Sequence, residues 1–104
     1  MPAQGLYLPT TLPQPKLLRR LLEDERRECR RRVLAGEAAE EWWTPDAFNR
    51  ESRWATAQAI QVCRVCPIQA DCLEAAVVNR LAGVCGGTKD RQRHLIRMRR
   101  QQNA

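Results

Sequence analysis

Cys63, Cys66 and Cys72 crowd into one short segment, Cys63-Arg-Val-Cys66-Pro-Ile-Gln-Ala-Asp-Cys72, and a lone Cys29 stands far upstream. Thiolates grouped in this way are the soft ligands that zinc and iron–sulfur clusters take. The chain has 104 residues, one Phe and one Tyr, so it can bury only a small core. A bound inorganic centre would add the missing cohesion. The first nine residues, Met1 to Pro9, lack a basic start and a long apolar run, so no signal peptide is expected. Thiols of a cytoplasmic protein sit in a reducing medium, where grouped Cys residues serve metal or redox chemistry more than disulfides. The plain alternative is that these cysteines are small buried hydrophobes.

The elements that would position them read as helices. From Lys16 to about Ala35 the pattern is helical, with Gly36 as the stop. Leu18, Leu22, Cys29 and Val33 share one face of it, so Cys29 is expected to look inward. Trp42 and Trp43 follow in a connection, where adjacent indoles either plug the core or offer a contact surface. A second helix is expected from Ser52 to about Cys63, and a third opening at Cys66-Pro67 and running through Leu81 to Gly83. If Cys66 caps that helix, free N–H groups and the helix dipole favour its thiolate. Cys72 lies roughly 9 Å further along the axis at about 1.5 Å per residue. That is too far for an easy Cys66–Cys72 disulfide, which spans at most about 7 Å between Cα atoms. It suits two thiolates converging on a multi-atom cluster better than a single zinc, although spacing alone leaves zinc open. Thr88 is expected to cap a last helix carrying Leu95, Ile96 and Met98. No segment alternates with period two. The expected class is all-α, a small bundle of about four helices around a Cys-ligated iron–sulfur cluster. Residues 1–15, with four of the six prolines, form a lead-in, and 16–104 a single domain.

The net charge of +6 is unevenly spread. Residues 16–32 carry +4, 33–87 carry −3 and 88–104 carry +5. Basic ends around an acidic centre fit a protein that meets a polyanion through its ends, although Arg-rich helix faces are often simply solvated. The concentration at the C-terminus points to nucleic acid through Lys89, Arg91, Arg93, Arg97, Arg99 and Arg100. The one His, His94, lies among these arginines and reads as a solvated helical residue.

One distant Cys, then C-x2-C-x5-C, then the turn Gly83-Val84-Cys85-Gly86-Gly87 and a basic C-terminal helix resemble the WhiB-like transcription factors of actinobacteria and their phages. The resemblance covers roughly residues 29–100. It implies that Cys29, Cys63, Cys66 and Cys72 ligate one [4Fe–4S] cluster. It also implies docking on region 4 of the primary sigma factor of RNA polymerase, with basic C-terminal contacts to promoter DNA. The family's turn usually carries Trp at the position of Cys85, and that Trp packs on the sigma factor. Partner contacts are therefore expected from Trp42, Trp43, Val84, Cys85, Gly86 and Gly87, with Trp54 as a further indole. Cys85 is either a substitute ligand or a resolving thiol once the cluster is lost. The family's Arg-Gly-Arg hook is absent, so DNA contacts should go mainly to phosphates.

Two other functions fit the residues. A zinc-stabilised nucleic-acid-binding module would use the same thiols without redox chemistry. A thiol–disulfide reductase would use Cys63-Arg-Val-Cys66, but no strand supports a thioredoxin-like site. Hydrolytic catalysis has no candidate nucleophile and base. No enzymatic activity, small-molecule substrate or membrane span is expected.

Overall fold

The computed structural model describes residues 12–44 and 51–102. Most of the expected lead-in, residues 1–11, and part of the connection after the paired indoles lie outside the described residues. The described elements are α1 (Pro15–Glu23), α2 (Glu28–Leu34), a short 3-10 turn (Glu40–Trp43), α3 (Glu51–Arg64), α4 (Gln69–Asn79) and α5 (Asp90–Gln102). The all-α class holds. α1 starts inside the expected lead-in, because Pro15 suits the first helical position, where no N–H is needed.

Three boundaries differ from expectation, each for a local reason. The single helix predicted over Lys16–Ala35 is two. Asp24 adopts an extended backbone, and its carboxylate accepts from the Arg26 N–H at 2.9 Å and from the Arg26 guanidinium. An Asp that bonds its own backbone two residues on competes with the helix ladder and turns the chain. Second, Cys66 does not cap the third helix. It sits in tight turns, with its N–H on Cys63 O at 3.1 Å and its carbonyl accepting from Gln69 N at 3.2 Å. Ile68 is the residue at the N-cap of α4. Third, the Thr88 hydroxyl donates to Cys85 O at 2.7 Å instead of capping α5. The first free N–H before α5, on Lys89, goes to the Gln92 side chain at 2.8 Å.

α1 packs on α4, α2 on α3, the indole turn on α3, and α5 on α4. Val62, Ala76, Val77 and Val78 are buried along α3 and α4, and two further apolar groups include the cysteines. Leu21, Ile68 and Ala75 gather with Leu17, Cys66 and Cys72. Ala59, Cys63 and Val84 gather with Trp42, Trp43 and Ile60. Cysteines belong to both groups. Among the described residues no helix is long and apolar enough to cross a membrane.

Candidate metal centre

A cavity of about 210 Å³ lies where the two core groups approach each other. Leu21 and Ile68 line it from one group, and Trp43, Cys63 and Val84 from the other. All five cysteines, Cys29, Cys63, Cys66, Cys72 and Cys85, contribute to its wall. All five are free thiols. They arrive from four places: Cys29 from α2, Cys63 from the last turn of α3, Cys66 and Cys72 from the α3–α4 turn and α4, and Cys85 from the glycine turn before α5. The Cys66 thiol points back at the α1–α2 junction, 3.9 Å from Arg26 O. The break in the first helix therefore lets both Cys29 and the Arg26–Arg27 backbone face the α3–α4 turn. Arg27 also lines the cavity and places its guanidinium 3.9 Å from the Cys29 sulfur.

The turn that carries Cys85 is held from both sides. Gly83, Gly86 and Gly87 all have positive φ, which ordinary side chains resist. Gly86 is also pressed onto α4, where an added Cβ would fall 2.6 Å from Leu73 Cα. That contact sets Cys85 beside Cys72, the two residues flanking it. Cys85 and Thr88 exchange backbone hydrogen bonds across the turn at 3.0 and 2.9 Å, and Val84 N bonds Trp43 O at 2.9 Å. Gln69 reaches Gly86 O at 3.3 Å.

Burial pushes the Cys63 thiol up, with the Trp43 indole and the Gly87 N–H opposing. Cys72 is pushed up to about 12, first by burial and then by Cys85, with the Gly86 N–H opposing. Cys85 is raised by burial and eased by the Arg93 guanidinium. Buried thiols of this kind hold their protons at neutral pH until a metal displaces them. The Trp43 indole N–H is fully buried, meets no oxygen or nitrogen acceptor, and lies against the Cys63 sulfur. Among the described residues, no three His, Cys, Asp or Glu side chains converge on a single-ion site.

The other expected site residues divide by exposure. Val84 and Gly86 are buried, so they form the inner side of the turn, and Cys85 turns to the cavity. Trp42 stacks on Trp43 at 6.1 Å and meets Trp54 edge-on at 5.3 Å. Trp54, 59% exposed, brings this aromatic trio to the surface. Of the basic residues, Lys89, Arg91 and Arg99 are exposed. Arg97 is half-buried and donates to Val77 O at 3.2 Å. Arg100 pairs with Glu74 through two bonds of 3.0 and 2.6 Å.

Arg93 corrects an expectation. The basic C-terminal pattern groups it with the DNA-facing residues, yet it is 0% exposed. Its guanidinium donates to Thr88 O at 2.6 Å, Leu81 O at 3.2 Å, Asp90 Oδ1 at 2.6 Å and closely to Gly83 O. A planar fork with five donors suits a turn whose carbonyls converge. Arg93 thus clamps the Cys85 turn and has no free face for phosphate. Sequence reasoning missed it because one basic residue among six carries no local mark of burial.

The family described as Transcription factor WhiB matches residues 26–96. Nothing matches the chain among curated proteins or among solved structures. The matched span holds all five cysteines, the glycine turn and the clamping arginine, and the chain belongs to the WhiB family of transcription factors.

Proposed function

We propose that this transcription factor holds a [4Fe–4S] cluster on Cys29, Cys63, Cys66 and Cys72. We further propose that it docks in that form on region 4 of the primary sigma factor, with its basic C-terminal helix against promoter DNA. The observation that carries the metal assignment is the single cavity onto which every cysteine of the chain opens. Its volume far exceeds the ~30 Å³ share of one water, so it suits a group of several atoms better than one ion. The chemistry of the wall agrees: soft sulfur donors, apolar Leu21, Ile68 and Val84, and buried N–H groups. The cavity also parts two core groups that are small by themselves, and ligands from both would join them.

When bound, the cluster supplies one-electron chemistry and sensitivity to oxygen or nitric oxide. The chain's own residues do the rest. Gly86 and Gly87 aim backbone N–H groups at the Cys72 and Cys63 sulfurs, favouring their thiolates. Arg93 fixes the turn that carries those glycines. Cys85 stands on the same wall as a fifth thiol, within reach as a substitute ligand or a resolving thiol.

Sigma docking rests on the family's habit, with the exposed edge of Trp54 and the Trp42 ring behind it taking the place of the turn's usual Trp. Anchors of this kind contribute about 2 kcal/mol or more at an interface centre. The test is co-purification with sigma region 4 under anaerobic conditions. Wild type is expected to retain the sigma fragment, and Trp54→Ala to lose it in large part. Equal retention by both would place docking on another surface.

A further inference from the structure

A buried donor with no acceptor is costly, and native proteins rarely leave one. The Trp43 Nε1–H meets no oxygen or nitrogen acceptor, and the Cys63 sulfur is the acceptor beside it. Its indole packs against Cys63 and Val84, lines the cysteine cavity, and is held in place at its backbone by the Val84 N–H at 2.9 Å. Trp42 stacks behind it, so the ring has little room to turn the N–H elsewhere. No protein oxygen reaches it, and the nearest acceptor chemistry is sulfur.

We propose that the Trp43 indole N–H donates a hydrogen bond to sulfur at the Cys63 corner of the bound cluster and thereby raises its reduction potential. This rests on the cluster assignment above. A hydrogen bond to a cluster or thiolate sulfur favours the more negative, reduced state, and such bonds are among the main determinants of cluster potential. Trp43 is a positioning residue that tunes the site and is not a ligand. Trp54, on the solvent side of the aromatic trio, makes no such contact with the cavity wall.

The experiment compares wild type, Trp43→Phe and Trp54→Phe, each purified anaerobically and titrated by spectroelectrochemistry. Trp43→Phe keeps an aromatic ring and removes the donor. It is expected to bind as much iron as wild type and to be harder to reduce by about tenfold, about 59 mV for one electron. Trp54→Phe, whose ring lies off the cavity wall, is expected to keep the wild-type reduction potential. If Trp43→Phe does not fold, wild-type protein labelled with indole-15N tryptophan answers the question by pulsed EPR of the reduced state, where a 15N coupling to the cluster is expected. An unchanged potential in iron-loaded Trp43→Phe, or no 15N coupling, would overturn the tuning role and leave the cluster assignment standing. Wild type without iron would overturn both.

Discussion

A thiol buried in a protein this small has little reason to meet four others unless something binds them. The four cysteines that the family resemblance implies as ligands all reach one cavity, and Cys85 joins them because its turn is pinned to α4 at Gly86. Substituting Cys66→Ser or Cys72→Ser is expected to cost much of the helicity, since ligation and folding are coupled. Far-ultraviolet circular dichroism checks this, and full helicity with a sharp melt in either variant would contradict it. Cys85→Ser is expected to keep the iron content, because four thiols remain. Iron loss on that change would make Cys85 a ligand. Gly86→Ala should destabilise by several kcal/mol, because both the positive φ and the Leu73 backbone oppose a Cβ. A melting temperature within error of wild type would contradict that packing. The grouping of Cys63, Cys66 and Cys72 was legible in the sequence because spacing is one-dimensional. The buried Trp43 donor beside Cys63 and the buried Arg93 were not, since both arise from contacts between segments apart in the chain.

At the scale of elements, helix type was legible from periodicity, while the ends were decided by side chains. The break between α1 and α2 follows from Asp24, whose carboxyl is held down to about 2 by hydrogen bonds from Arg26. Glu28, bonded by Arg31 and Arg32 in the first turn of α2, is likewise held to about 2. Both folded values lie below the ordinary 3.8 and 4.5. Their stabilisation is therefore complete above the ordinary carboxylate range and is lost as pH falls toward 2. Both carboxylates are half-buried under solvent-exposed arginines near the surface, so the effect is small and weakens in salt. Amide exchange in α2 is expected to speed up selectively over that pH window, and a flat profile would contradict the pairing. The docking of α5 on α4 depends on the buried Glu74, 5% exposed, meeting Arg100. Glu74→Gln should cost about 1–3 kcal/mol by removing a charge-assisted pair. Denaturant unfolding measures it, and a neutral result would mean that α5 is held by its apolar contacts.

For the whole molecule, the uneven charge was readable from composition, but which charges face outward was not. Lys89, Arg91 and Arg99 remain exposed on or beside α5, whereas Arg93 is spent inside. Single Arg91→Ala and Arg99→Ala changes are expected to weaken DNA binding similarly on any sequence. Each should reduce the slope of log affinity against log salt by about 1. A change confined to one promoter sequence would indicate base contacts instead.

The split core makes a sharper demand. On the proposed reading, a centre bound in the cavity of about 210 Å³ joins the two apolar groups that line it. Iron and acid-labile sulfide counted per chain in anaerobically purified protein test that demand most directly. About four of each, with broad visible absorbance, are predicted. A colourless protein that holds zinc, or one that keeps its tertiary structure with no metal bound, would contradict it.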